Sequence, residues 1–184
     1  DRWDYDSAAP IIIADLTVGG KLRHVALHAP KNGYFYMLDA QTGAFISAGS
    51  IAPQNWTTGI DAVTGKAAVN PEARYEQTGK LFLGRPGGGG AHGWPSMSFS
   101  PKTGLVYIPA SFDVFPYLAD KQWTETGIGY QTGADFATLD MLRGKPAPDG
   151  QQLPEVSGLT IAWDPVAQKE AWRIPQALPM NGGI

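Results

Sequence analysis

Two carboxylates near the start of the sequence are its clearest candidates for chemistry. Asp4 and Asp6 are separated by a single residue. If residues 3–7 are extended, both side chains point to one side, about 6.5–7 Å apart at Cα. Two carboxylates so placed can both reach one hard cation, which prefers oxygen ligands. The plainer alternatives are that Asp4 caps a strand end and that Asp6 is solvent-exposed or caps the next turn through Ser7. The three histidines offer less. His24 and His28 fall on one face of an expected strand but about 13 Å apart, too far to share a metal. His92 sits in a glycine-rich loop that it can orient, and no Ser-His-Asp set is arguable. The run Gly87-Gly88-Gly89-Gly90 lacks the Lys-Ser/Thr and the strand-to-helix context of a phosphate cradle, and reads as a flexible loop.

The elements that must position these residues are short strands joined by tight turns. Pro10 to Asp15, Leu22 to Ala29, Tyr34 to Leu38 and Ala44 to Ala48 read as four strands of one up-and-down sheet. They are separated by turn signals at Val18-Gly19-Gly20, Ala29-Pro30-Lys31-Asn32-Gly33 and Asp39-Ala40-Gln41-Thr42-Gly43. Met97 to Ser100 with Leu105 to Pro109, and Leu159 to Trp163 with Glu170 to Ile174, read as two hairpins of a second four-stranded sheet. Two irregular stretches, 49–95 and 111–157, interrupt the pattern, the second holding a short helix over Phe136 to Leu142. Loops this long in a compact domain are usually functional. The turns starting at Asp39, Asp61, Ser100 and Asp164 share one form, in which an Asp side chain can cap the turn and a Gly can take the left-handed position. Those at 39, 100 and 164 recur at intervals of about sixty residues, the scale of a propeller blade with insertions.

Composition agrees with an all-β domain. The 184 residues include 23 Gly and 15 Pro, which favour turns over long helices, and 43% hydrophobic residues, enough for a core. A net charge of −3 argues against nucleic acid as the main partner. With no cysteine there is no disulfide framework, no thiolate zinc site and no CxxCH haem attachment in this stretch. No run of about 18 apolar residues suggests a membrane span. Asp1-Arg2-Trp3 is neither an initiator methionine nor a signal peptide, and Asn181-Gly182-Gly183-Ile184 looks like the lead-in to another strand. Both ends are therefore expected to be cut.

Several segments, in order along nearly the whole chain, carry a family resemblance. They are Trp3-Asp4-Tyr5-Asp6, Ala29-Pro30-Lys31-Asn32-Gly33-Tyr34-Phe35-Tyr36, Gly90-Ala91-His92-Gly93-Trp94, Met97-Ser98-Phe99, Thr103-Gly104-Leu105-Val106-Tyr107-Ile108-Pro109, Ala162-Trp163-Asp164-Pro165 and Asn181-Gly182-Gly183. The chain resembles the middle-to-late part of the propeller of quinoprotein and quinohaemoprotein alcohol dehydrogenases. The resemblance implies an all-β fold of antiparallel four-stranded blades: about two blades, over 10–48 and 96–175, of an eight-bladed ring. It implies oxidation of an alcohol to an aldehyde or ketone with pyrroloquinoline quinone beside a bound metal, usually calcium, in the periplasm. A cytochrome or a haem c domain outside this chain would take the electrons, and any membrane association would come through missing parts or partners.

The same resemblance assigns roles. Asp4 matches the catalytic base, which takes the alcohol proton beside the metal. An acid at Asp6 resembles the pattern of lanthanide-using members, where it adds a metal ligand; an Asp here in a calcium enzyme stays open. Lys31 matches the Lys or Arg that contacts the quinone oxygens and stabilises the reduced cofactor; otherwise it is a turn lysine in solvent. Gly93-Trp94 occupies the place of an Asn/Asp-Trp pair lining the cofactor cavity, with Trp94 near the quinone plane or else packed in the core. Gly93 departs from that pattern and removes a side-chain contact.

Two other functions fit the blades: a quinoprotein acting on sugars or polyols, and a non-catalytic propeller for protein binding. Convergence of Asp4, Lys31 and Trp94 at one end of the propeller axis separates the enzyme from the binding module. Two blades cannot enclose a quinone, so the isolated chain is expected to be inactive.

Overall fold

Four turns of one chemical form set the strands of this protein, seen here in a computed structural model that describes residues 2–125, 127, 133–142, 157–179 and 182–184. In the first, Asp39 Oδ1 accepts from the amides of Gln41 and Thr42 and from the Thr42 hydroxyl, and Gly43 takes φ +73°. Asp61 does the same with Val63 and Thr64 ahead of Gly65. Asp164 caps Val166 and Ala167, and Gln168 stands at φ +52° in the fifth position. Ser100 closes its turn more loosely, with Thr103 N 3.4 Å from its Oγ and Gly104 left-handed. The capping oxygen satisfies amides that the reversal leaves unpaired, and the fifth residue supplies the positive φ that brings the chain back.

These turns generate two antiparallel meanders. Strands β1 (Ile11–Val18), β2 (Lys21–His28), β3 (Tyr34–Asp39) and β4 (Phe45–Ser50) form a four-stranded sheet in chain order. The second sheet holds β8 (Ser98–Ser100), β9 (Leu105–Phe112), β11 (Ser157–Asp164) and β12 (Lys169–Gln176), in the order β12-β11-β9-β8. The sheets pack face to face through one apolar cluster. Val25, Leu27, Phe35 and Met37 of the first meet Val106, Ile108, Ile161 and Trp163 of the second, all buried. Each such side chain contributes roughly 1.5–3 kcal/mol by leaving water. Gly49 marks the closest approach: a Cβ there would lie 2.6 Å from the Trp163 ring.

The stretches read as irregular from sequence contain further structure. Strands β5 (Thr57–Ile60) and β6 (Ala67–Val69) form a hairpin about the Asp61 turn. A 3-10 turn over Pro71–Ala73 leads into α1 (Tyr75–Thr78), and β7 (Phe82–Gly84) pairs with β10 (Phe115–Tyr117) across the chain. These strands are three or four residues long, too short for alternation to show. The hairpin and Trp3 cover the outer face of the first sheet in a second cluster with Tyr34, Trp56, Tyr75 and Tyr117. The expected helix is α2, Phe136–Leu142. Among the described residues, no helix is long and apolar enough to cross a membrane.

Candidate functional site

The segment bearing Asp4 is fixed on both sides by aromatic residues. The Trp3 indole donates to Ala73 O at 3.0 Å, and the Tyr117 hydroxyl donates to Trp3 O at 2.8 Å. After Asp4, the Tyr5 hydroxyl donates to Pro86 O at 2.5 Å, and burial pushes its pKa up. The rings of Trp3, Tyr5 and Trp56 lie 5.6–5.9 Å apart as a triangle, anchoring the segment on the second cluster. Between these anchors Asp4 stands at φ +62°, in the left-handed region. A non-glycine residue there costs of order 1–2 kcal/mol, and such residues concentrate at functional positions.

This backbone corrects the extended geometry expected of residues 3–7. At Asp4 the chain is not extended, so alternation does not align the two carboxylates. They converge instead on a lysine: Lys31 Nζ lies 3.1 Å from Asp4 Oδ2 and 2.5 Å from Asp6 Oδ1. The Lys31 side chain is 16% exposed, against 63% and 57% for the two carboxylates. A sheltered ammonium thus presents two accessible acids. Burial disfavours its charge, but the hydrogen bonds it donates to Asp6 and Asp4, with their negative charges, outweigh burial and the Lys31 pKa moves up. The same hydrogen bond holds the Asp6 carboxyl below its ordinary value.

The turn carrying Lys31 is itself braced. Asn32 Oδ1 accepts from Tyr34 N, its amide donates to the Tyr36 hydroxyl, and its carbonyl accepts from the Trp56 indole. His92 ties this turn to the glycine-rich loop, its Nδ1 2.5 Å from Ala29 O and its Nε2 2.8 Å from Pro95 O. Its orienting role is met, and burial pushes its pKa down.

The Gly87–Gly90 run, read as a flexible loop, is packed. Gly90 N closes a turn onto Gly87 O at 2.9 Å, and Ala91 N donates to Lys31 O at 3.0 Å. Gly90 has φ +82°, and a Cβ there would meet Lys31 Cγ at 2.4 Å and its Cα at 2.7 Å. Only glycine lets this backbone lie against the lysine. A Cβ on Gly88 would stand 3.7 Å from Asp4 Cβ, so the loop borders both residues.

Trp94, four residues beyond Gly90, is not in the core. It is 65% exposed and borders a concavity of about 180 Å³ with Gly90, His92, Gly93, Ser111 and Asp113. A Cβ on Gly93 would meet nothing closer than 3.8 Å, so the space a larger side chain would use is open. His24 pairs with Asp15 at 2.7 Å, and His28 is a separate, half-buried residue whose pKa burial lowers. Among the described residues no group of three or more His, Cys, Asp or Glu is placed to hold a metal. Asp4 and Asp6 fit a hard cation in donor type and supply only part of a ligand set. Sequence reasoning missed Asp113 and Tyr117, which act from distant segments and leave no local motif; Tyr5 lies within the Trp3–Asp6 motif, but its bond to Pro86 does not show in the sequence.

The chain resembles a partial stretch of the propeller of pyrroloquinoline-quinone-dependent alcohol dehydrogenases. A family model described as the glucose/ethanol/alcohol dehydrogenase β-propeller domain matches residues 1–53. Among individual proteins, the dehydrogenase subunit of the quinone alcohol dehydrogenase of Komagataeibacter europaeus is 42% identical over 189 residues, covering 100% of this chain. The structure of the quinohemoprotein alcohol dehydrogenase from Pseudomonas putida superposes with a TM-score of 0.85 at 38% identity, covering 100% of this chain and 27% of that one. A europium-containing methanol dehydrogenase gives 0.77 at 28% identity, covering 97% and 30%. The chain spans about a quarter of the length of the curated relatives it matches, 25% for the Komagataeibacter subunit.

Proposed function

We propose that this chain is the site-bearing propeller segment of a periplasmic dehydrogenase that oxidises an alcohol to an aldehyde or ketone with pyrroloquinoline quinone and a metal ion. The contact of Lys31 with both Asp4 and Asp6 carries this reading. When bound, the quinone would supply the two-electron oxidant that takes the alcohol's hydride and the metal would supply Lewis acidity. Asp4 takes the hydroxyl proton on a carboxylate oxygen as the carbonyl forms. Its strained backbone and its aromatic anchors hold that carboxylate in place, so little reorganisation is needed at the moment of transfer. Lys31 places positive charge where the reduced cofactor would carry negative charge. Asp4 and Asp6 would hold the metal, calcium or a lanthanide, with the remaining ligands and the rest of the ring supplied from outside these residues. Gly93 and Trp94 would line the cofactor pocket, Gly93 without a side-chain contact of its own. Electrons would pass on to a cytochrome or to a haem domain.

The test uses the full-length protein that carries these residues. Apo-protein is loaded with the quinone and with calcium or a lanthanide, and dye-linked oxidation of short alcohols is followed. Metal- and quinone-dependent turnover supports the reading, and its absence with both metals ends it. Asp6→Ala separates the metals: a selective loss of lanthanide-dependent turnover assigns Asp6 as the additional ligand, whereas an unchanged metal preference removes it from the ligand set.

A further inference from the structure

Asp113 is an acid that the proposed reaction does not use, placed just after β9 where that strand leaves the second sheet. Its carboxylate is partly buried, and burial pushes its pKa up against the hydrogen bonds that favour the charge. An acid in that position carries a desolvation cost that a neutral residue would avoid. What it gains is contact with the glycine turn. Asp113 Oδ1 accepts from Gly87 N at 2.7 Å. Its Oδ2 lies 2.5 Å from where a Cβ on Gly87 would stand and 3.4 Å from the same point on Gly89, so the carboxylate lies close against the turn. The turn continues through Gly88 beside Asp4 to Gly90 against Lys31. Two residues before Asp113, Ser111 N donates to Ala91 O at 2.8 Å, and Ala91 N donates to Lys31 O. The end of β9 therefore grips the loop at both ends of its glycine run, and the loop is seated on Lys31.

We propose that Asp113 is a positioning residue of the quinone site, resting on the function proposed above. By fixing Gly87 it holds the backbone of residues 87–90 down on the lysine, and so sets where the Lys31 ammonium stands between Asp4 and Asp6. It acts through its acceptor oxygen rather than its charge. The Ser111–Ala91 bond remains when Asp113 is replaced, so the loop loosens at Gly87 while the fold persists.

The experiment compares Asp113→Ala with Asp113→Asn, which keeps an acceptor and removes the charge, in the full-length protein. Amide hydrogen exchange over residues 87–90 is read first because it needs neither quinone nor activity. Asp113→Ala should speed exchange there about tenfold or more, the equivalent of one lost hydrogen bond, and Asp113→Asn should leave it within about threefold. The dissociation constant for the quinone should rise about tenfold in Asp113→Ala and be restored in Asp113→Asn. Unchanged exchange in Asp113→Ala overturns the proposal. So does an Asp113→Asn protein as impaired as Asp113→Ala, since charge would then be the operative property. A wild-type protein that neither binds the quinone nor turns over would defeat the functional reading, while the exchange comparison would still decide whether Asp113 holds the loop. Where Asp113→Ala gives too little folded protein, Asp113→Leu, which matches the shape and has no acceptor, takes its place with the same expectation.

Discussion

The blade core and the site edge of this molecule are built on different physical terms. Between the sheets, Phe35, Leu27, Met37, Ile108 and Ile161 are fully buried and interact without direction, through area removed from water. At the edge, Asp4, Lys31 and the 86–91 loop are held, beyond the aromatic packing of Trp3 and Tyr5, by single directed hydrogen bonds: Tyr117 to Trp3, Tyr5 to Pro86, Ala91 to Lys31, Gly87 to Asp113. The core tolerates exchange of one apolar side chain for another of similar volume. The edge does not, because each contact has a unique partner and several require glycine. A scaffold of the first kind can support many sites, and a site of the second kind fixes one geometry.

The largest expected effect is in the core. Phe35→Ala should cost about 3–5 kcal/mol, read as a fall in the denaturant midpoint at unchanged slope. A smaller loss would mean that the sheets are held mainly by something other than the shared cluster. Gly90→Ala comes next. Its left-handed φ alone costs about 1–2 kcal/mol, and the overlap with the Lys31 backbone adds to that. Its distinguishing mark is a loss of quinone affinity larger than that of Phe35→Ala at matched stability. Equal losses would break the distinction between core and edge.

A third expectation concerns pH. Burial lowers the pKa of both His28 and His92 below 6.5. The unfolded chain then binds protons that the folded one refuses, so stability is lost as pH falls below that value. Thermal midpoints should begin to drop there, ahead of the carboxylate range, and a His92→Gln protein should show a shallower slope. The smallest effect is that of Trp94→Ala. Removing so exposed a ring should change stability by no more than about 0.5 kcal/mol. Its effect should instead appear in the quinone dissociation constant, and a large stability loss would mean that the ring is structural.

The same division explains what the sequence made legible. The turns at Asp39, Asp61 and Asp164 are local, their acceptor and donors lying within four residues, so their chemistry shows in the string itself. The strands between them follow, and the two sheets with them. Motif picks out Asp4, Asp6 and Lys31, but the sequence pairs the two acids with each other along an extended backbone, which the left-handed Asp4 rules out, and does not show that both meet Lys31. The loop over residues 87–90 looked flexible because glycine marks both mobile turns and close approach, and only the packed lysine distinguishes the two. Asp113 and Tyr117 reach the site through pairings such as Phe82 with Tyr117, between strands three residues long. No periodicity announces contacts of that kind.

In the proposed function Asp4 accepts the alcohol proton while Lys31 places positive charge beside the cofactor. The most direct measurement is single-turnover reduction of the bound quinone by alcohol in the full-length Asp4→Asn protein, loaded with quinone and metal to the same occupancy as wild type. The account predicts a rate lower by about 10²–10⁴-fold with quinone affinity retained. A rate within about threefold of wild type at equal loading would contradict it.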